Sequence, residues 1–518
     1  MLQLGVLALW LLIIIVPFFT FSFFINLTRY FTRNPSSSLS SSTTNSKLPR
    51  CYPLIGAYFD IVANRGRMNQ WMTEVLRHCP TGSYALRRPF GYRQIFTANP
   101  ANVQHILKSQ FSMYPKGEMF RIGLTDFLGS GIFNTDGDNW KFQRQISSHE
   151  FNTKSLRKFV EDVVTTEVSD RLLPILKSAA EMNSVLDLQD ILQRFAFDNI
   201  CKIAFGFDPE YLSPSLQEAE FATAFEEATK LSGERLSSVI PNSWRIKKYL
   251  NIGSERNLKI ANSQIQEFAK QIVRKKKQDL KEKSSSLEVS DLLSRFINYD
   301  HLEEDWLVDI VISFILAGRD TTSAALTWFF WLISFNPKVE EEILKEINGI
   351  PEQPVYSDIK EMTYTHAALC ESMRLYPPVP TDSKQAANDD ILPDGTVVKK
   401  GERVTYHPYA MGRMQNLWGS NWMQFKPERW LERDNINGKS SFVPKDSYTY
   451  PVFQAGPRIC LGKEMAFLQM KMIVFETLRG FRVVPADEKG FEPVFISYLT
   501  AKMKDGFPVK IQKRSLSL

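Results

Sequence analysis

Six histidines are scattered through the 518 residues and none falls in an H-x-x-x-H pair, so zinc chemistry has no support. The five cysteines include no C-x-x-C spacing. Their odd number excludes a complete disulfide framework and favours a reducing compartment. There is no P-loop and no G-x-G-x-x-G, which argues against a nicotinamide or flavin held by this chain itself. No Ser-His-Asp order is recognisable and no internal repeat is visible. The net charge of +6 is small and dispersed, and no basic stripe with interleaved aromatics appears, so nucleic acid is not an expected partner.

Charge is absent altogether from Met1 through Thr28, and Leu4 to Leu27 is almost entirely apolar. About 20 such residues cross a bilayer as a helix, so the run suffices even with Pro17 in it. A cleaved signal peptide usually has a basic leader and a shorter apolar run, and both are missing here. Basic residues follow instead, at Arg29, Arg33, Lys47 and Arg50, which by the positive-inside rule puts the rest of the chain in the cytoplasm. Residues 1–28 are therefore expected to form a single-pass membrane anchor. Residues 29–48, with a serine-, threonine- and asparagine-rich stretch, read as a linker, and residues 49–518 as one catalytic body.

That body has ordinary globular composition, 43% hydrophobic and 23% charged. Helical periodicity dominates it. Strand-like runs are short: Tyr92 to Thr97, Thr396 to Lys399 and Arg403 to His407. Long helices are expected from Glu304 to Phe335 and from Lys463 to Leu478. Arg274 to Ser286, with its lysine run and triple serine, reads as an exposed, mobile connection between helices.

The most specific segment is Phe453-Gln-Ala-Gly456-Pro-Arg458-Ile-Cys460-Leu-Gly462. It puts one cysteine in a turn-rich loop ahead of a helix, where glycines let backbone amides point at the sulfur. A thiolate bound to haem iron needs such a fixed approach, amide donors for its charge, and a cation near the haem carboxylates. Through this loop the chain resembles the cytochrome P450 family of haem-thiolate monooxygenases. The resemblance implies a mainly α fold with small β-sheets, in one haem-binding unit behind the membrane helix. It makes Cys460 the axial ligand of haem b.

Three further segments match the family. Within Phe314-Ile-Leu-Ala317-Gly318-Arg319-Asp320-Thr321-Thr322, glycine and paired threonines are poor helix formers, and threonine hydroxyls can bond a preceding carbonyl. The resemblance gives Thr321 the iron-bound oxygen as partner and Asp320 a part in proton delivery. Animal fatty-acid ω-hydroxylases often carry glutamate where this chain has Ala317, and that glutamate can esterify haem. Non-covalent haem, apart from the Cys460 bond, is therefore expected. Glu371-Ser-Met-Arg374 places a carboxylate and a guanidinium on one helix face. With Arg429 of Pro427-Glu428-Arg429-Trp430 it should form a buried scaffold. Trp140 and Arg144 lie four apart on one face and, with Arg458, are expected to reach the haem propionates, while Phe453 and Gly456 shape the loop.

Tyr114-Pro-Lys-Gly117, Gly131 to Asp138, Arg374-Leu-Tyr-Pro-Pro-Val-Pro380 and Tyr409-Ala-Met-Gly-Arg413 look like the plant fatty-acid ω-hydroxylase clan. They are closest to its branch of fatty-acid, jasmonoyl–amino-acid and steroid side-chain hydroxylases. All of these present a flexible aliphatic end to iron. Expected pocket walls are Phe120, Leu124, Phe127, Leu128, Ile132, Phe133, Phe314, Ala317, the Val379–Thr381 turn and Leu499. Arg121 is a weaker candidate for a substrate carboxylate. Expected partners are a membrane-bound NADPH-dependent flavoprotein reductase, docking near Lys141, Lys463 and Lys471, the lipid bilayer and a hydrophobic small molecule. NADPH thus acts only indirectly, and the endoplasmic reticulum is the membrane the resemblance implies. Two rivals are a haem-thiolate isomerase or dehydratase working without external electrons, and a non-catalytic, membrane-anchored haem sensor. Neither needs the Asp320–Thr321 pair.

Overall fold

A computed structural model describes residues 48–151, 154–216, 220–282, 291–299, 302–352, 354–433, 440–486 and 493–514. The anchor and nearly all of the linker expected at residues 1–48 lie outside these. Among the described residues no helix is long and apolar enough to cross a membrane.

Helices predominate. Those that frame the site are α1 (Glu118–Leu128), α2 (Gly137–Phe151), α3 (Leu188–Phe205), α4 (Glu220–Ser237), α5 (Ser254–Glu282), α6 (Glu304–Ser334), α7 (Thr363–Leu375) and α8 (Lys463–Gly480). Helix α6, 31 residues long, is the axis of the molecule and packs on α3, α5 and α7. Glu304 and Asp305 in its first turn complement the positive end of the helix dipole. Most of its remaining length is buried, as expected of a helix apolar nearly all round. Helix α3 starts where the Asp187 side chain accepts the Gln189 and Asp190 amides, and ends at Gly206 in the left-handed region.

A four-stranded sheet stands beside the helices. Its strands are β1 (Ser83–Arg87), β2 (Arg93–Thr97), β3 (Asp382–Gln385) and β4 (Arg403–Tyr406), in spatial order β1-β2-β4-β3. β2 pairs parallel with β4, Gln94 opposite Arg403. β3 pairs antiparallel with β4, Asp382 opposite Tyr406. A hairpin of β5 (Phe495–Ser497) and β6 (Ala501–Met503) approaches α6.

The connection expected at residues 274–286 is helical as far as Glu282, where description stops. The stripe Leu258, Ala261, Ile265, Ala269, Ile272 and Val273 is buried, and its i+3/i+4 spacing carries the helix into the basic run. That run is not free: Arg274 Nε donates to Glu304 Oε1 at 3.1 Å, Lys276 pairs with Asp291, and Lys275 lies over the Phe207 ring.

Candidate functional site

The cysteine loop is built by two tight turns, Pro451–Phe453 and Gly456–Arg458, and closed where the Cys460 amide donates to the Phe453 carbonyl at 2.8 Å. Gly456 has φ +65°, and a Cβ there would lie 2.0 Å from the Leu107 carbonyl oxygen, so no other residue fits without moving that backbone. Tyr450, just ahead of the loop, donates to the Cys370 carbonyl at 2.9 Å and ties it to α7. Gln454 Nε2 donates to Asp382 Oδ2 at 2.6 Å and ties it to the sheet. Burial acts to raise the Asp382 carboxyl, but Lys116 and Lys384 outweigh it and hold the group well below the carboxylate range.

Cys460 opens onto a cavity of about 470 Å³. Its sulfur is accessible from inside that cavity yet enclosed by protein. Burial pushes the thiol up, opposed by the Gly462 amide and by the Arg144 and Lys463 charges. Phe453 lines the same cavity, its ring 5.2 Å from that of Phe467. Arg144 and Arg458 are also on the wall. Among the described residues the Arg144 guanidinium meets no acceptor. Arg458 donates from Nη2 to Thr135 O and Asp136 Oδ1, both at 2.8 Å. Trp140 is buried beside this wall, its ring 5.5 Å from that of Phe111 and 4.4 Å from the Arg458 guanidinium, so it braces Arg458.

Above the sulfur, α6 supplies Phe314, Ala317, Gly318, Thr321 and Thr322 to the wall. Thr321 Oγ1 donates to the Ala317 carbonyl at 2.6 Å, the i−4 bond expected of threonine in a helix. α6 is helical without interruption. Gly318 serves as a packing notch, since a Cβ there would lie 2.5 Å from Ile200 Cγ1 of α3. Asp320 does not face the cavity. Its carboxylate accepts from Arg319 Nη1 at 2.9 Å and from Thr500 Oγ1 at 3.2 Å, and it is Thr500, in the β5–β6 turn, that reaches the wall. The cause is the helix period: the residue before Thr321 points about 100° away from it.

Phe120, Leu124, Leu128, Ile132 and Phe133 line the cavity from α1 and the turn after it, with Val379, Thr381 and Leu499 opposite. Phe127 does not. It lies in the α1–α4 core with its ring 5.3 Å from that of Phe225. Arg121 is exposed and off the wall. Of the expected docking lysines, Lys141 is exposed and paired with Asp138, and Lys463 is half-buried. Lys471 is buried and donates to the Lys360 carbonyl at 2.7 Å, so it offers no surface charge.

Behind the loop, both Glu371 oxygens are saturated. Oε1 accepts from Arg374 Nη2 at 2.8 Å and from Arg429 Nε and the Lys426 amide at 3.0 Å. Oε2 accepts from Arg374 Nε at 2.8 Å and Trp430 Nε1 at 3.0 Å. Sequence reasoning had the two arginines but not Trp430, although it adjoins Arg429. It also missed Asp136, Gln454 and Thr500, and the wall residues Arg88 and Arg403, which no local spacing marks.

These side chains fit an iron porphyrin. An enclosed sulfur has an amide donor beside it, a guanidinium with no acceptor among the described residues faces the same space, and the neighbouring helix presents Ala317, Gly318, Thr321 and Thr322 as a run of small residues beside Phe314. Fold and site together define a haem-thiolate enzyme. The chain belongs to the cytochrome P450 family, whose profile it matches over residues 47–509. It is 61% identical over 467 residues to cytochrome P450 94A1 of Vicia sativa, covering 90% of this chain and 91% of that one. Cytochrome P450 94A2 of the same plant is 59% identical over 93% of this chain and 94% of its own length. For cytochrome P450 94B1 of Arabidopsis thaliana the identity is 46%, with the same two coverages. The protein is a P450 monooxygenase.

Proposed function

We propose that this monooxygenase hydroxylates an aliphatic chain at or near its end, in a fatty acid or fatty-acid-derived substrate. The observation that carries this is the apolar wall of α1, Phe314, Ala317 and Leu499, which encloses the cavity onto which Cys460 opens. The motifs shared with the plant ω-hydroxylase clan point the same way. Haem b would be held by Cys460, with Arg144 and Arg458 toward its propionates and Ala317 leaving it without an ester link. When bound, it supplies the reductive activation of dioxygen.

The chain's own residues orient, exclude water and supply protons. The Thr321 hydroxyl spends its proton on the Ala317 carbonyl, which leaves its oxygen free to accept from a group in the cavity. Asp320 serves the wall through Thr500 Oγ1, the only polar step between its carboxylate and the cavity among the described residues. Electrons would come from an NADPH-dependent reductase at a face that includes Lys141 and Lys463. Residues 1–28 would hold the protein to the endoplasmic reticulum, with the body in the cytoplasm.

Microsomes supplemented with reductase should convert a long-chain fatty acid to its terminal alcohol in preference to a jasmonoyl–amino-acid conjugate or a sterol. Turnover of the sterol alone would overturn the assignment. Thr321→Ala should lower the fraction of NADPH electrons recovered in alcohol severalfold and raise peroxide correspondingly. Unchanged coupling would remove Thr321 from oxygen handling.

A further inference from the structure

Arg88, directly after β1, and Arg403, the first residue of β4, both line the main cavity. They also line a second pocket of about 90 Å³, together with Gln94 and Leu236, and so stand at the boundary between the two. Among the described residues neither meets a carboxylate within ion-pair distance. Each makes one side-chain hydrogen bond: Arg88 Nη1 to the Ser238 carbonyl at 2.8 Å, and Arg403 Nη1 to the Leu236 carbonyl at 2.9 Å. These carbonyls belong to the end of α4 and the residue after it, where the helix dipole is negative. A guanidinium carries five N–H donors, and the Nε of both residues is buried without an acceptor. Arg88 is only 8% exposed. Burial pushes both groups down to about 10. Arg403 adds to the effect at Arg88, and Asp382, already engaged by Lys116 and Lys384, opposes it at Arg403. Both are therefore charged at neutral pH.

Two neighbouring cations, one buried and one part-buried with its Nε enclosed, and with no carboxylate in ion-pair distance among the described residues, are costly unless a ligand completes them. Every other buried arginine described above has protein partners or lies near the sulfur: Arg374 and Arg429 on Glu371, Arg319 on Asp320, Arg458 on Asp136, and Arg144 near Cys460. Arg88 and Arg403 instead rise from the sheet, at the end of α4.

We propose that Arg88 and Arg403 form the carboxylate-binding site for the substrate, holding the polar head of a long-chain acid while its hydrocarbon tail runs toward Cys460. This deepens, and rests on, the aliphatic-chain hydroxylation proposed above. It makes regiochemistry a matter of reach from a fixed head, so the reacting carbon is counted from the carboxylate. The substrate class is an anionic one, a free acid rather than an ester, alcohol or sterol.

The test is spectral titration of the haem-loaded full-length protein with dodecanoic acid and with its methyl ester, in wild type, Arg88→Gln, Arg403→Gln and Arg88→Lys. Wild type should bind the acid more tightly than the ester. In either glutamine variant that preference should collapse roughly ten- to a hundredfold, because a charge-assisted, forked contact is lost. Arg88→Lys should recover part of it. The hydroxylated position should also spread inward from the terminal carbon in the glutamine variants. An acid-to-ester ratio that is unchanged in both glutamine variants, with dodecanoic acid still hydroxylated, overturns the arginine site alone. Failure of wild type to bind dodecanoic acid, while it binds and turns over a sterol, overturns the substrate reading as well. A uniform loss of affinity for both acid and ester would make the arginines structural, and that too overturns the site.

Discussion

Two sets of buried arginines differ in how completely the protein satisfies them. Arg374 and Arg429 share Glu371 with a tryptophan N–H and a backbone amide, and their remaining donors reach the carbonyls of Gly412, Trp422, Gln424 and Trp418. Among the described residues Arg88 and Arg403 have one acceptor each and no carboxylate within ion-pair distance. A closed network leaves nothing for a ligand to add, so it acts as scaffold for the loop that holds Cys460. An open pair keeps its desolvation cost until something anionic arrives. Binding capacity in this fold is thus marked by what a charged group lacks.

The scaffold half of the contrast breaks hardest. Glu371→Gln replaces one acceptor oxygen by an NH2 group facing the Arg374 and Trp430 donors, and leaves two guanidinium groups without an anion in the core. The expected loss is about 3–5 kcal/mol, a large part of the 5–15 kcal/mol typical of a folded domain. Urea unfolding of the haem-loaded protein, or failure to recover any, would show it. Wild-type stability in this variant would mean that the network is ornamental.

Much of the scaffold was readable in the sequence because it is local. Glu371 and Arg374 are one helical turn apart, Trp140 and Arg144 likewise, and the cysteine loop is contiguous, so helix geometry and turn residues place them without knowledge of the fold. The boundaries of α6 and α8 followed for the same reason. What could not be read depends on partners far along the chain. Asp136 meets Arg458 across 322 residues, Thr500 meets Asp320 across 180, and Arg403 meets Leu236 across 167. Phe127 was misplaced by the same limit, since periodicity gives a helix face but not what covers it. Lys471 was taken for surface charge because nothing nearby in sequence announces the Lys360 carbonyl that buries it.

Gly318 sharpens a second contrast along α6, between a notch used for packing and a groove used for chemistry. A methyl group at this position meets the Ile200 side chain, including its Cβ at 2.7 Å, which a rotamer change cannot clear. Gly318→Ala should cost about 1–2 kcal/mol, an overpacking penalty of 1–3 offset in part by better helix propensity. Adding Ile200→Ala, which removes the Cγ1 and Cδ1 contacts but keeps the Cβ, should return part of it in a double-mutant cycle. Additive losses would place the role of Gly318 in the cavity rather than at the α3 contact.

The smallest effect belongs to a carboxylate that sits between the two extremes. Asp309 of α6 accepts the Ser130 amide at 2.7 Å but has no cation within ion-pair distance among the described residues. Burial, with Asp305 adding to it against the Ser130 amide, pushes its pKa up to about 6. Because the folded value lies above the unfolded one, folding takes up a proton. The stabilisation is complete below the unfolded pKa near 4 and is lost as pH rises through about 6. Asp309→Asn keeps an oxygen for the Ser130 amide and removes the uncompensated charge, so at pH 7.5 it should be more stable than wild type by about 1–2 kcal/mol. The advantage should shrink as the pH is lowered to 5, where wild type is protonated too. Unfolding free energies of the two proteins measured across that range isolate this residue, since every other titration is common to both. A difference independent of pH would show that Asp309 is as well satisfied as Glu371, and that an amide alone does the work of two guanidinium groups.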